Sequence, residues 1–304
     1  MLSVVIIDYP NALQSAVHGL KELFLLANDC LEQNDSPQLF AINILKPSDT
    51  SAQDINGHIV IVPPSLGGGY YLTPESILTT YLTQVHEAGS LLCSACAGSF
   101  ILASSGLLKN RQATTHWHFE KTFRQAYPDV NLDTERLLIN DGDIITAGGL
   151  MSWVDLGLEI VARFTKPHIM RQVGKFLIVD TAKREQLYYQ SFNPPFDHGN
   201  HSIIKVQHHI QISYQSSLNI RELAQMAFMS ERTFLRQFLQ ITGYKPTQYI
   251  QRVRIQKACE LLESSSHSVE TITQMVGYEN ANSFRKVFQK IMGLSPSAFR
   301  ARFA

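Results

Sequence analysis

Two side chains in the first half of this sequence, a cysteine and a histidine, have the types and placement that nucleophilic chemistry requires. The segment LLCSACAGSF runs from an apolar stretch through small residues into the start of a helix, which puts Cys96 on the turn between strand and helix. A helix N-terminus lowers the pKa of a nearby thiol and makes it more reactive. His116, in RQATTHW, is a candidate general base. The pattern predicts a pocket lined by Cys96 and His116.

Simpler interpretations stay open for the same residues. A buried cysteine more often packs than reacts, and His116 and Trp117 could pack beneath the turn. Cys93 and Cys96 form a CxxC pair without a second CxxC, so a redox or metal site is not expected. Neither a metal nor a cofactor is predicted. Four histidines resemble a metal cluster only in composition and are interpreted as exposed polar residues: His198, His201, His208 and His209.

The elements around Cys96 follow an alternating pattern over the first 180 residues. Short β-branched runs alternate with amphipathic stretches, which predicts a parallel sheet flanked by helices. The predicted strands are Ser3–Ile7, Ala41–Leu45, Ile59–Val62, Ser90–Ser94 and Asp143–Ala147. The predicted helices are Ala16–Asn28, Pro74–Glu87, Gly98–Ser105 and Met151–Phe164.

The periodicity ends near Tyr188, where two prolines and a glycine occur in QSFNPPFDHGNH. We therefore expect a first domain over 1–189, a linker over 190–202 and a second domain over 203–304. Only helical patterns follow the linker, so the second domain should be all-α. Charge divides at the same place, because residues 1–199 carry 13 Lys and Arg against 20 Asp and Glu, whereas residues 200–304 carry 13 against 6.

An internal repeat organises the second domain. Six residues recur at an offset of 50 positions: Ser230, Phe234, Phe238, Gly243, Pro246 and Tyr249 return as Asn280, Phe284, Phe288, Gly293, Pro296 and Phe299. Each copy has a capping residue, aromatics at i and i+4, and a glycine stop. A shorter apolar helix precedes each copy, so the pattern predicts two helix-turn-helix units.

The side chains opposite the buried aromatics suit contact with DNA. A basic domain binds phosphates by releasing counterions, and Arg and Asn side chains can read guanine and adenine edges in the major groove. Ordinary solvated charges are the alternative, which the duplication and the charge asymmetry disfavour. The residues predicted from this spacing to face DNA are Arg232, Thr233, Arg236, Gln237, Ala281, Asn282, Arg285 and Lys286.

With these residues in view, the segment from IRELAQMAFMSERTF to SPSAFR resembles the DNA-binding domain of AraC/XylS-type transcription regulators over essentially all of residues 203–303. The resemblance implies that the two units occupy successive major-groove segments on one face of the duplex, and that Leu235 faces the groove together with Arg232 and Arg236. One departure is Thr273, where the family usually has alanine. A hydroxyl there is expected to bond back to a helix carbonyl with mild strain.

The segment CAGSFILASSGLLKNRQATTHW resembles the PfpI and glutamine-amidotransferase-like superfamily, in the GlxA-like branch that is fused to AraC-type domains. This likeness implies a flavodoxin-like, class I glutamine-amidotransferase-like α/β sandwich followed by the all-α domain. In active relatives an acidic residue and a glycine-pair oxyanion hole assist the cysteine and the histidine. The acidic position falls near Ala16, and Pro63-Pro64 replaces the glycine pair. Proline has no N–H to donate to an oxyanion.

The combined prediction is a cytoplasmic, sequence-specific transcription regulator that binds operator DNA, is not an enzyme, and has no catalytic residue. Its first domain is expected to sense a small molecule or to dimerise, with Cys96, His116, Gly67 and Gly68 lining the pocket. The other expected partners are RNA polymerase and a second copy of the chain. Binding to a membrane is not expected. Two alternatives remain: a cysteine-dependent hydrolase or amidotransferase-like enzyme tethered to DNA, and a first domain that only dimerises.

Overall fold

A computed structural model describes residues 1–50, 58–181, 185–192 and 194–304 of the chain. The chain divides into two compact units, Met1–Gln186 and Leu187–Ala304. This boundary lies three residues before the predicted end of the first domain. Among the described residues, none of the helices is both long enough and apolar enough to cross a membrane.

The first unit is built on a six-stranded sheet with the order β2-β1-β3-β4-β8-β7. The first five strands in this order are parallel, and their order is that of a flavodoxin-like sheet. β5 and β6 form a separate parallel pair. The strands are β1 (Leu2–Ile7), β2 (Phe40–Leu45), β3 (Ile59–Val62), β4 (Leu91–Ala95), β5 (Gln112–Ala113), β6 (Asn131–Leu132), β7 (Leu138–Asn140) and β8 (Ile144–Ala147).

Two groups of helices accompany this sheet. One group packs α1, α5 and α6 together, and the other packs α2 against α3. Strands β3, β4 and β8 are buried along their whole length, as expected for a sheet covered by helices. The helices are α1 (Gln14–Glu32), α2 (Ser76–Glu87), α3 (Gly98–Ser104), α4 (Glu120–Ala126), α5 (Trp153–Phe164) and α6 (Pro167–Leu177).

The expectation of an α/β first domain is confirmed. The five predicted strands form the parallel part of the sheet. A sixth strand that was not predicted, β7, pairs with β8 in the antiparallel sense at one edge. Gly142 and Asp143 form the tight turn between them, closed by a hydrogen bond from the Asp141 N–H to the Ile144 carbonyl at 2.9 Å, with Gly142 at φ +88°.

The second unit is helical in its described residues, as predicted. Two apolar cores form within it, one around Phe234 and Phe238 and the other around Phe284 and Phe288. The long α10 contributes residues to both cores. The helices are α7 (His201–Ser213), α8 (Ile220–Met226), α9 (Glu231–Thr242), α10 (Pro246–Ser264), α11 (Val269–Met275), α12 (Ala281–Met292) and α13 (Pro296–Phe303).

The segment expected to be a linker packs within the second unit in its described part. Phe192 contacts the rings of Tyr244 and Tyr249, and its N–H donates to Gln256 Oε1 at 2.9 Å. The buried Gln207 side chain donates to the carbonyl of Pro195 at 3.2 Å. Residue 193 lies outside the described residues. The low periodicity of this segment reflects irregular backbone held by side chains rather than a free tether.

Candidate nucleic-acid interface and cysteine pocket

Cys96 lies on a tight turn between β4 and α3, as the sequence predicts. Its backbone has φ +53°, a left-handed conformation that is strained for a residue other than glycine. The turn is held on both sides, because the Cys96 N–H donates to the Ala147 carbonyl at 2.8 Å and Thr115 Oγ1 donates to the Cys96 carbonyl at 2.7 Å. A Cβ at Gly98 would lie 2.4 Å from the Val62 carbonyl oxygen, so the turn also needs glycine there.

The expectation of a lowered thiol pKa at this turn is wrong. Cys96 is 2% exposed, and burial raises the pKa of its thiol to about 12. A hydrogen bond with the backbone amide of Ala97 opposes this effect only in part. Burial disfavours a thiolate more strongly than the start of α3 favours it. Cys96 is therefore a neutral thiol near neutral pH.

His116 is half-buried and forms its own aromatic cluster. Its Nδ1 accepts a hydrogen bond from the His118 N–H at 3.1 Å, and its ring lies 5.4 Å from that of Trp117 and 5.9 Å from that of Phe119. Burial, with a smaller effect of His118, lowers the pKa of His116. Among the hydrogen bonds of the described residues, none joins His116 to Cys96. The predicted pair thus consists of a neutral thiol and a neutral imidazole that lack a direct hydrogen bond.

The positions of the acid and the oxyanion hole carry no suitable group. Ala16 is fully buried in α1. Pro63 and Pro64 lack N–H groups, and both of their carbonyls are engaged. Tyr9 Oη donates to the Pro63 carbonyl at 2.7 Å, and the Leu13 N–H donates to the Pro64 carbonyl at 2.7 Å.

Tyr9 is a pocket residue that the sequence interpretation missed. It follows β1 at the carboxyl edge of the sheet, where ligands bind in open α/β folds. It is 1% exposed, and burial followed by the proximity of Cys96 raises the pKa of its hydroxyl. Its ring stacks on that of Tyr70 with centroids 5.6 Å apart. The run Asp8-Tyr9-Pro10 directly after a buried strand was the available signal.

The glycine loop predicted to line the pocket packs against the residues that follow β1. Gly67, Gly68 and Gly69 have φ of +155°, +78° and +74°. A Cβ on Gly68 would lie 2.0 Å from the Asn11 side chain, so the close approach of this loop is to Asn11. A cleft of about 420 Å³ lies beside it and is lined by Asp8, Tyr9, Pro10, Asn11, Gln14, Lys46, Pro47, Ser48 and Glu75.

In the second unit, the two repeats place their capping residues and aromatics in the same way. Ser230 Oγ accepts from the Thr233 N–H at 3.3 Å, and Asn280 Oδ1 accepts from the Asn282 N–H at 2.8 Å. Both aromatics of each helix are fully buried. The helices end at Gly243 and Gly293 in the left-handed conformation. We call α9 and α12 the reading helices.

The opposite face of each reading helix is accessible. Thr233, Gln237 and Ala281 are partly exposed. The more exposed residues of the predicted set are Arg232, Leu235, Arg236, Asn282, Arg285 and Lys286. Thr233 is partly engaged, because Ser230 Oγ donates to its hydroxyl at 3.0 Å. In α11, Thr273 Oγ1 donates to the Val269 carbonyl at 2.8 Å, which is the back-bond expected from its hydroxyl.

Arg285 has a partner that the sequence interpretation missed. Glu270 in α11 accepts a hydrogen bond from Arg285 Nη2 at 2.5 Å. Both side chains are substantially exposed, so this pair adds little stability. Its effect is to hold the guanidinium in one orientation on the accessible face of α12.

Comparison with protein-family models assigns both units. A model of the DJ-1/PfpI family matches residues 46–163, and a helix-turn-helix domain model of the AraC type matches residues 223–302. The chain joins a DJ-1/PfpI domain to an AraC-type helix-turn-helix domain. The resemblance inferred from the sequence is confirmed.

Individual relatives are named as helix-turn-helix transcriptional regulators. The chain is 27% identical over 226 residues to the HTH-type transcriptional regulator CdhR of Pseudomonas aeruginosa, which covers 74% of this chain and 67% of that protein. It is 25% identical to the HTH-type transcriptional regulator GlxA of Rhizobium meliloti, covering 73% of this chain and 69% of that protein. The chain thus has the domains of a helix-turn-helix transcriptional regulator, which implies DNA binding.

The fold of the DJ-1/PfpI domain also occurs in a solved structure of a putative transcriptional regulator from Vibrio parahaemolyticus. The two share 22% sequence identity with a TM-score of 0.51, over 58% of this chain and 98% of that one. At this identity the likeness concerns the fold alone.

Proposed function

We propose that this protein is a sequence-specific transcription regulator that reads operator DNA with α9 and α12. The observation that carries the proposal is the pair of reading helices, each burying two phenylalanines and presenting cations on its accessible face. The predicted set from Arg232 to Gln237 and from Ala281 to Lys286 would face the groove. In domain terms, residues 203–304 bind DNA, residues 190–202 connect, and residues 1–189 form the effector or dimerisation domain.

Selection of bound fragments from random duplex DNA tests this proposal directly. The full chain should enrich a defined sequence with two contacted segments about one helical turn apart, because each reading helix occupies one major-groove segment. Selection with and without cell extract separates recognition from its control by a small molecule. Recovery of unenriched DNA, or binding no tighter than to heparin, would contradict the proposal.

The DJ-1/PfpI domain in this proposal is a non-catalytic module. A neutral Cys96 thiol, an alanine at the acidic position and two prolines at the oxyanion position support this role. Loss of one oxyanion donor typically slows acyl chemistry by about 10²–10³. The proposed effector site is the carboxyl-edge cleft that Tyr9 lines. The pocket residues expected from the sequence, Cys96, His116, Gly67 and Gly68, are not among the described residues that line this cleft, although Cys96 is close enough to Tyr9 to raise the pKa of its hydroxyl.

Sensing and dimerisation are separable. A library of small metabolites should raise the melting temperature of the full chain for at least one compound, because a ligand that binds only the folded state stabilises it. A dimer that responds to no compound would make the first domain a dimerisation module only. We also propose that the homodimer contacts RNA polymerase at its operator.

One observation favours the enzyme alternative, namely the strained φ of +53° at Cys96, since strain of this kind concentrates at functional sites. The DJ-1/PfpI family includes enzymes. Turnover of an amide or ester that is lost in Cys96→Ala would establish catalysis. We expect no turnover by the wild type or by Cys96→Ala.

A further inference from the structure

The two reading helices carry different chemistry at equivalent positions. Leu235 and Leu239 of α9 correspond, at the repeat offset of 50, to Arg285 and Gln289 of α12. The leucines lie at i and i+4, are 42% and 41% exposed, and therefore share one accessible side of the helix. The first helix thus presents an apolar pair where the second presents an arginine and an amide.

This apolar pair is separate from the core of its unit. The inner face of α9 carries Phe234 and Phe238, which are fully buried against α10 residues such as Tyr249. Arg232 and Arg236 lie next to the leucines, on the side of the helix away from the core. Exposed leucines are common singly, but here two occur side by side next to two cations on the surface that faces DNA in the proposed function.

The partner helix differs at a second, matched position. Glu270, the partner of Arg285, is the second residue of α11, which begins at Val269. The second residue of the equivalent helix α8, which begins at Ile220, is Arg221. The repeat with an arginine on its reading helix therefore has an acidic residue to orient it. The repeat with a leucine has no such acid at that place. These two differences between the repeats, leucine against arginine on the reading helix and arginine against glutamate on the preceding helix, indicate two modes of base recognition.

We propose, on the basis of the proposed function, that α9 reads thymine through its C5-methyl group with Leu235 and Leu239, whereas α12 reads guanine with Arg285. Thymine is the base that presents an apolar group in the major groove, and guanine presents the two acceptors that match a guanidinium fork. The neighbouring Arg232 and Arg236 would contact phosphates or the edge of an adjacent base pair beside the methyl contact. The operator should therefore have one thymine-dependent segment and one guanine-dependent segment.

The test replaces thymine by deoxyuridine, which removes only the methyl group. Duplexes carrying the selected operator are made with uracil at one thymine position at a time, and binding of the full chain is measured by fluorescence anisotropy. One or two positions in a single segment should bind about fourfold more weakly, the change for one buried methyl group. With Leu235→Ala, thymine and uracil at that position should bind equally well.

Two further variants sharpen the test. Leu235→Arg, which copies the second repeat, should change the preferred base at that position from thymine to guanine. Ile212→Ala, the control, removes a 77% exposed apolar side chain from α7 and should leave the affinity for every duplex unchanged. If an operator is selected but uracil is tolerated at every thymine, thymine reading is wrong while the regulator function stands. If no operator is selected, both are wrong.

Discussion

Arg236 is the residue on which base recognition by α9 is most directly tested. It is exposed and lies opposite the buried Phe234 and Phe238, and its guanidinium can contact the edge of the base pair beside the thymine that the leucines would read. Arg236→Ala should weaken operator binding by about 1–3 kcal/mol and relax the preference at one base pair. Arg171→Ala, which removes an exposed cation from α6 in the other unit, is the matched control. Equal weakening on every sequence would place Arg236 on phosphate instead.

Cys96 should resist alkylation in the folded protein. At pH 8 a thiol with pKa about 12 is ionised to about 10⁻⁴, against roughly a tenth for a thiol with the ordinary pKa of 9.0, so modification should be about 10³-fold slower than in urea. Iodoacetamide labelling followed by peptide mass spectrometry measures this, with Cys259, whose pKa burial also raises to about 12, as the internal reference. Rapid labelling of Cys96 alone in the native state would contradict a non-catalytic pocket.

The same shift makes stability depend on pH. The folded-state pKa of Cys96 lies above the ordinary value of 9.0, so the stabilising contribution of its neutral form is complete below about pH 9 and is lost as pH rises toward about 12. Urea unfolding at pH 8 and pH 10 should therefore show a smaller loss of stability for Cys96→Ala than for the wild type. An equal loss in the two proteins would mean that the thiol is not the group responsible.

At the residue scale, the sequence located the strand-to-helix turn and the exposed helix faces better than it described the environments of individual side chains. The turn at Cys96 and the exposed faces of α9 and α12 were predictable because strand, cap and helix periodicity are local. The pKa of Cys96 was not, since it depends on burial by segments distant in sequence. Tyr9 and Glu270 were missed for the same reason: their partners, Pro63 and Arg285, are joined to them only by the fold.

At the scale of elements, the turns of the helix-turn-helix units set strict backbone demands. Gly277 follows α11 with φ +82°, and a Cβ there would lie 2.4 Å from the Gln215 carbonyl oxygen. In the first unit the corresponding left-handed residue is Phe228, with φ +58°. The turn therefore requires a left-handed residue in both helix-turn-helix units, but only the turn of the second unit also requires that this residue have no side chain.

Gly277→Ala should consequently destabilise the second unit by about 2–4 kcal/mol, through left-handed strain of about 1–2 kcal/mol plus displacement of the Gln215 backbone. Gly243→Ala is the matched control, because it has φ +76° but open space around its Cβ, and should lose only the strain. Urea unfolding of the full chain by circular dichroism measures both. Tryptophan fluorescence monitors the first unit separately, since Trp117 and Trp153 both lie there. Equal losses would remove the role assigned to Gln215.

Element types were largely predictable, whereas elements defined by pairing were not. The five predicted strands and the paired helices follow from periodicity and caps. β7 and the β5–β6 pair are two or three residues long, too short for a period to register, and exist because a neighbouring strand supplies hydrogen bonds. The packed part of the predicted linker was missed because Phe192 is anchored by Gln256, 64 residues later.

At the scale of the whole molecule, charge is separated along the chain. Residues 1–199 have 7 more acidic than basic side chains, and residues 200–304 have 7 more basic than acidic ones. Only the basic part has the composition to neutralise phosphates, and an acidic part repels them. Formal neutrality of the chain therefore does not weaken the expectation of DNA binding; the segregation instead implies that contact is confined to the second unit.

Affinity should accordingly depend steeply on salt, with the dependence residing in the second unit. If the three cations of the reading helices that are not assigned to bases, Arg232, Lys286 and Lys290, neutralise phosphates, log K should fall with log salt at a slope of about −2.7, or roughly 40-fold between 50 and 200 mM. Lys286→Ala should make the slope about one unit less negative, because one fewer counterion is released on binding. Arg171→Ala changes the net charge equally but in the acidic part, and should leave the slope unaltered. Anisotropy titrations of the full chain at several salt concentrations supply the slopes. A response to Arg171→Ala as large as that to Lys286→Ala would show that net charge, and not its placement on the reading helices, governs binding.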